Sequence, residues 1–474
     1  MLAVLRRVAG VPWFPHASLG AAAAALFSIG LATHPSGRDE AVSVLAARHP
    51  VPELLGLIVN HEPHPAGYYL ALTLWPHDTL VEVRLFSFLP AVLCVPVIFA
   101  IARRLGLPAW RAGILAATSP FLGFYSVEAR MYSWLGFMGA LALLITASMT
   151  ESEKPPLPPP ESPAVAGIPD LRFAILAGFV MAVAAYVHYF ALFLGLTVVL
   201  WLLVRRLHLH ALVATATAAV LYIPGLVMLA EQVPLFRRYP TGTWQAKEDP
   251  SHVFQAFSVL LAGAESYIPA FIATGVLLAV IGFALYRGRS RPAVRMLGFW
   301  LLPTLALPLA IGAVVPLDSP RYLAAAFPAL LLLLAAATAE VRPHVAVVVT
   351  TMLAVLGAGL VIDSTYRADN TKPPIPAVLA LAGPDRLVVA QHVWLAPEIA
   401  VYEISAIAYD FNPPTIDRSG LWALPAGADY PPAATRPLLI INYCGRFRPP
   451  PAGYTIERKV TFDMNVCGEL INPP

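Results

Sequence analysis

HPSGRDEAVSVLAARHPVPELLGLIVNHEPHP, residues 34–65, is the first long polar interval after the first apolar run, and it holds Arg38, Asp39, Glu40, Arg48, His49, Glu53, His61, Glu62 and His64. Its surroundings decide how it is read. Of the 474 residues, 58% are hydrophobic and 12% charged, with a mean hydropathy of +0.69. A soluble domain has roughly 45–50% apolar and about 25% charged residues. The chain therefore reads as an all-α polytopic membrane protein, and a segment this polar belongs outside the hydrocarbon.

Working outward, a ~30 Å hydrocarbon core takes about 20 helical residues. Runs near that length, marked off by Arg clusters, prolines and acids, predict eleven spans: Ala17–Thr33, Leu85–Leu105, Trp110–Tyr125, Met131–Thr150, Phe173–Val187, Tyr189–Val204, Ala211–Ala230, Ile268–Tyr286, Met296–Val315, Tyr322–Ala339 and Val345–Ile362. By the positive-inside rule, Arg6 and Arg7, Arg103 to Arg111, Arg205 and Arg206, Arg287 to Arg295 and Arg342 are cytoplasmic. The piece Ala66–Trp75 then has to lie as a helix at the outer interface, because the chain crosses only once between Asp39 and Arg103. The first apolar run is read as a retained signal anchor with its N-terminus inside.

The proline-rich segment Glu151–Asp170 is a cytoplasmic linker, and Glu231–Tyr267 is a second outer loop facing the first. Residues 1–362 form the membrane domain. From Asp363 to Pro474 no run is long enough to span. Short apolar runs at Leu387–Ala390, Ile404–Tyr409 and Leu438–Tyr443, with a helix at Ala396–Tyr402, predict a small extracytoplasmic α/β domain. Cys444 and Cys467 in it could pair or remain buried thiols. A net charge of +3 without a basic patch leaves no nucleic-acid footprint. Lys occurs only at 154, 247, 372 and 459, and prolines number 47, a bias that looks like a GC-rich bacterial genome and so points to a bacterial cell (inner) membrane.

Four polar clusters could carry chemistry. Asp39, ionised near neutral pH beside Glu40, could take a proton from an acceptor hydroxyl; alternatively Ser36 to Asp39 is the S-x-x-D of a capping box. In HEPHPAGYY (61–69), Glu62 with His61 or His64 could hold a divalent cation, or the histidines could contact a phosphate; interfacial polar residues beside tyrosines are the plainer reading. In YSVEARMYSW (125–134), Glu128 and Arg130 are costly beside hydrocarbon unless paired or facing a wet cavity. Arg321, in DSPRYL (318–323), opposes the positive-inside trend and could hold a phosphate bidentately, or could snorkel from its helix end. His188 is an outward residue between two spans.

In order, DE (39–40), EPHPAGYYLALTLW (62–75), RLFSFLP (84–90), SPFLGFYSVEARMYSW (119–134), VHYFALF (187–193) and PRYLAAAFPAL (320–330) resemble the polyprenyl-phosphate-sugar glycosyltransferases of the GT-C fold, of the bacterial family 39 and protein-mannosyltransferase-like group. The resemblance implies a hexose or pentose carried on a polyprenyl phosphate and attacked, with inversion, by a hydroxyl of a glycan, lipid or protein acceptor on the outer face. Asp39 would be the base and Glu40 its support. Arg130, Arg321 and His64 would bind the donor phosphate, with Glu128, His188 and Tyr132 supporting. Glu62 sits where some relatives place a metal-binding carboxylate and others work without metal. Ala66 replaces a proline familiar after HP. The rival readings are a transporter or flippase of an envelope precursor, which keeps binding groups on broken helices in two related halves, and an assembly protein that presents the C-terminal domain.

Overall fold

The computed structural model describes residues 13–32, 34, 38–62, 64–76, 79–151, 171–238, 251–263, 268–312, 320–366, 380–381, 387–390, 421–423, 437–443, 453–461 and 466–472. Helix α1 (Phe14–Phe27) continues as a 3-10 turn at Ser28–Gly30. The polar interval after it is mostly helical: α2 (Arg38–Ala47) and α3 (Val51–His61) precede the short α4 (Ala66–Thr73) and the long α5 (Leu80–Arg104). Then come α6 (Ala109–Ala117), α7 (Pro120–Ser126), α8 (Tyr132–Glu151), α9 (Arg172–Val187), α10 (Ala191–Val204), α11 (His208–Leu221), α12 (Ile223–Arg238), α13 (Ser251–Ala262) and α14 (Ile268–Arg287). Helix α15 (Pro292–Leu301) passes through a wide π turn at Leu302–Ala306 into α16 (Leu307–Gly312). A 3-10 segment, Pro320–Ala326, leads into α17 (Phe327–Ala337), and α18 (Pro343–Tyr366) closes the helical part.

Within the described residues, each of the eleven predicted apolar runs is largely helical, but they differ in reach. Among the described residues five stretches, Leu80–Arg104, Tyr132–Thr150, Ile268–Arg287, Pro292–Ile311 and Pro343–Asp363, are long and apolar enough to cross a membrane, and α11 with α12, bent by 59°, makes a sixth if the pair is counted as one span. Phe14–Gly30, Arg172–Val187, Ala191–Val204 and Arg321–Ala337 are shorter apolar helices. The run Trp110–Tyr125 is broken: Ser119 accepts a hydrogen bond from the Leu122 amide at 3.3 Å and Pro120 takes the first helical position, the residue pair that starts a new helix. The chain is a multi-pass membrane protein.

Three local features set the frame of the helical part. Thr79 and Glu82 close a capping box at the start of α5, with Thr79 N donating to Glu82 at 2.8 Å and Glu82 N to Thr79 at 3.2 Å, which fixes the helix that carries Arg84. Helix α17 is buried along its whole length. Helix α8 meets the 3-10 segment before α17 backbone to backbone, since a Cβ on Gly139 would lie 2.8 Å from the Ala325 carbonyl, a close approach that only a glycine allows.

Beyond α18, five strands form one sheet in the order β2-β1-β3-β5-β4: β1 (Leu387–Ala390), β2 (Leu421–Ala423), β3 (Leu438–Tyr443), β4 (Thr455–Thr461) and β5 (Val466–Asn472). β1 runs parallel to β2 and β3, while β5 is antiparallel to β3 and β4. The first and third strands fall where the apolar runs place them; 396–402 and 404–409 lie outside the described residues. Leu439 and Leu470 join the buried apolar cluster of the helices. Cys467 is disulfide-bonded and Cys94 is a buried free thiol; Cys444 lies outside the described residues.

Candidate functional site

The adjacent acids of the opening interval have different surroundings. Successive residues on a helix project about 100° apart, so with Ala41 to Ala47 buried against the bundle, Asp39 and Glu40 cannot share a face. Glu40 is 0% exposed and forms a two-point ion pair with Arg84, from Nε to Oε1 at 2.7 Å and from Nη2 to Oε2 at 2.8 Å. Its Oε1 also accepts the Ala129 amide at 2.9 Å, and Arg84 Nη1 donates to the Leu31 carbonyl at 2.9 Å. Glu40 thus ties α1, α2, α5 and the 127–131 connection into one joint. The capping alternative for Asp39 rests on Ser36, which lies outside the described residues.

Asp39 is on the open side, with its Oδ2 2.8 Å from Arg321 Nη2 and both side chains about one-quarter exposed (26% and 25%). Arg130, buried, reaches the same corner. Its Nη1 donates to the Asp39 carbonyl at 3.2 Å, to Ser43 Oγ at 3.2 Å and to the Tyr69 hydroxyl at 3.0 Å. The Arg321 guanidinium stacks over the Tyr132 ring at 5.3 Å, an arrangement that holds a cation without neutralising it. Tyr322 completes the wall, with ring centroids 4.6 Å from His188, 5.8 Å from His64 and 6.2 Å from Tyr132.

Four buried polar atoms around this corner have no partner among the described residues: Arg130 Nε, Arg321 Nε, the Tyr132 hydroxyl and His188 Nε2. Burial, and then the electrostatic influence of His64, Arg130 and Arg321, hold the His188 imidazole well below its ordinary value. The ring is therefore neutral at pH 7. Its Nδ1 accepts the Phe190 amide at 3.1 Å, so the proton sits on Nε2. All four unpartnered atoms can donate, and buried donors are rarely left unsatisfied without a ligand to meet them.

Glu62 and His64 form the neighbouring wall, hydrogen-bonded to each other through Oε1 and Nδ1. Burial alone would raise the Glu62 carboxyl, but the contact with His64 and the positive Arg130 outweigh it and hold it below the usual carboxylate range. A lowered acid stabilises the fold above its unfolded value of about 4.3 and loses that contribution as the pH falls through the native value. The stability deficit of Glu62→Gln, followed by thermal denaturation, is therefore expected to be full at pH 6–8 and to shrink below about pH 4. A deficit unchanged at pH 3 would contradict the pairing.

A narrow apolar groove is lined by Leu260, Leu277, Phe327, Leu331, Leu353 and Leu356 among others. A run of ring contacts joins it to the polar corner: Phe327 stacks on Phe121 at 4.8 Å, Phe121 is tilted against Tyr125 at 4.9 Å and Tyr125 meets Tyr132 edge to face at 5.1 Å. A corner lined with donors beside an apolar groove suits a ligand that is anionic at one end and greasy at the other.

Comparison with protein-family models and with curated proteins finds no match. Solved structures do match. ArnT from Cupriavidus metallidurans superposes in the apo state with a TM-score of 0.60 at 14% identity, covering 96% of this chain and 97% of that one. The same protein bound to undecaprenyl phosphate gives 0.58 at 14% identity over the same shares. The apo oligosaccharyltransferase of Archaeoglobus fulgidus gives 0.51 at 12% identity, over 83% of this chain and 64% of that one. The chain has the GT-C fold. On this GT-C frame Asp39, Arg130, Arg321, His64, His188 and Tyr132 converge, and Glu40 sits beneath them. Glu128 is buried in the 127–131 connection. The side chain of His61 lies outside the described residues. Among those residues no group of three His, Cys, Asp or Glu side chains is placed to hold a metal ion. Glu62 and His64 bond to each other and offer a hydrogen-bonded pair, not a ligand set. Tyr322, Tyr69, Arg84 and Gln232 escape the sequence reading. Tyr322 and Arg84 sit inside the PRYL and RLFSFLP stretches, whereas Gln232 is one amide in an apolar helix.

Proposed function

We propose that this GT-C protein is a membrane glycosyltransferase that takes a sugar from a polyprenyl-phosphate donor and passes it, with inversion, to an acceptor hydroxyl. The convergence of one carboxylate, Asp39, with four unpartnered donors beside an apolar groove carries the reading. The ligand bound in one of the ArnT structures, undecaprenyl phosphate, has the same two-part chemistry. The donor phosphate lies against Arg130, Arg321, Tyr132 and His188, and its tail follows the groove. Asp39 accepts the proton as the acceptor oxygen bonds to the anomeric carbon. The bond from that carbon to the phosphate oxygen breaks, and the electron pair leaves on the phosphate, where the two guanidinium groups stabilise it. Phosphate is a good leaving group, so no general acid is required.

The site faces the outside of a bacterial cell membrane in this reading. Arg321 starts the run that ends at Ala337, and beyond that far end Arg111 donates to the Thr338 carbonyl at 2.8 Å and Arg291 pairs with Glu340 at 3.0 Å. Arginines concentrated at the opposite end of the bundle favour a cytoplasmic placement there. The acceptor class is a glycan, lipid or protein of the envelope.

The test is transfer by the purified full-length protein, reconstituted in lipid, from a mixed pool of radiolabelled polyprenyl-phosphate hexoses and pentoses to an envelope extract. Release of free polyprenyl phosphate coupled to acceptor labelling is expected. Sugar-independent movement of an envelope precursor across the bilayer, without transfer, would favour a flippase instead. Arg321→Lys keeps the charge but loses the planar fork and the stacking on Tyr132, so polyprenyl phosphate binding is expected to weaken by about ten-fold. Titration calorimetry checks it, and unaltered affinity would remove Arg321 from the phosphate site.

A further inference from the structure

Gln232, on α12, is fully buried between exposed neighbours, and the proposed reaction makes no use of it. Its Nε2 donates towards the carbonyls of Ile58 at 3.0 Å, Glu62 at 2.8 Å and His64 at 3.1 Å. Its Oε1 accepts the hydroxyl of Tyr189. The amide can sit only this way round, because the three carbonyls only accept and the tyrosine supplies a proton to the one acceptor the amide has. Two N–H protons are shared among three carbonyls, the first of them in the last turn of α3, where the Ile58 carbonyl otherwise has only the long bond from Glu62 N at 3.4 Å.

The two ends of this side chain grip two walls of the site. One end holds the corner that carries Glu62 and His64, and the other holds Tyr189, the residue after His188. The His64 and His188 rings lie edge to face with centroids 5.4 Å apart. Helix α12 runs into the interval 231–267, so the second outer segment meets the first through this amide.

We infer that Gln232 is a positioning residue of the donor-phosphate site, setting the spacing of His64 and His188 from behind. The inference rests on the phosphate reading of that site. In Gln232→Leu a side chain of similar size remains, but the Glu62 and His64 carbonyls lose this donor, the Ile58 carbonyl keeps only its bond from Glu62 N and the Tyr189 hydroxyl loses this acceptor, so the corner relaxes and His64 moves away from His188.

The experiment titrates the full-length protein, in detergent micelles, with a long-chain polyprenyl phosphate. Gln232→Leu is expected to weaken binding about ten-fold and Tyr189→Phe, which removes one bond and keeps the amide, about three-fold. In a His188→Ala background the loss from Gln232→Leu is expected to shrink to less than about two-fold, because the residue it acts through is gone. A residue that merely stabilises the fold would give the same loss in both backgrounds. Wild-type affinity in folded Gln232→Leu, or fully additive losses, would overturn the inference while leaving the phosphate reading intact. If Gln232→Leu does not fold, the same cycle with Tyr189→Phe and His188→Ala decides by the same outcomes. No binding by the wild type would overturn the phosphate reading, and the inference with it.

Discussion

Asp39→Asn is expected to lower sugar transfer by about 10²–10⁴-fold, the usual contribution of a positioned general base, and to leave polyprenyl phosphate binding at least as tight as in the wild type. The two halves of that expectation have one cause. In the free protein Asp39 Oδ2 lies 2.8 Å from Arg321 Nη2, so the carboxylate and a donor phosphate compete for the same guanidinium. The amide keeps one oxygen for Arg321 and the shape of the corner, but it cannot accept a proton. It also gives up the negative charge that opposes an incoming phosphate. The turnover number should therefore collapse while the dissociation constant for polyprenyl phosphate holds or falls. Equal turnover would remove Asp39 as the base. A parallel loss of phosphate affinity would mean that the substitution had disturbed α2, not the proton transfer.

The site was legible in the sequence to the extent that its residues are chemically out of place. Asp39, Arg130, Arg321 and His188 stand out because charge and imidazole are expensive beside hydrocarbon, and the fold brings them together. The direction of Glu40 was derivable too. A DE pair at the start of a helix is splayed by about 100°, so one acid faces inward and needs a buried cation, and Arg84 is that cation. What the sequence hid was the identity of this partner, 44 residues away, because Arg84 stands immediately before the Leu85–Leu105 span, where an arginine reads as an ordinary flank. Tyr322 and Gln232 were hidden for another reason: a tyrosine next to an arginine and a lone amide in an apolar helix carry no pattern, and their roles exist only once α12 and the 188–190 corner are placed against α3. Span lengths differ from the sequence expectation where breaks are local. Ser119-Pro120 is a helix start, and the run from Trp110 to Tyr125 is two helices meeting at it.

Glu40 and Arg84 are expected to give the largest effect on folding. Both are almost wholly buried, at 0% and 1% exposure, and removing one member of such a pair strands the other charge at a cost of about 3–5 kcal/mol. Glu40→Leu or Arg84→Met alone should therefore yield little folded protein, measured as monodisperse material after extraction. The double variant carries no stranded charge and should recover most of the loss, since an apolar pair of similar volume can replace a buried ion pair. Recovery stops short of the wild type because Ala129 N and the Leu31 carbonyl lose their partners, each worth about 1–3 kcal/mol when buried. The recovered protein then separates two roles for Glu40. If Glu40 serves only to hold α2 so that Asp39 meets Arg321, the double variant should transfer sugar within about ten-fold of the wild-type rate, a residual set by the looser corner. If Glu40 itself exchanges protons with the acceptor, the double variant should fold and yet be as inactive as Asp39→Asn. The buried two-point pairing, with no oxygen turned to the cleft, favours the first outcome.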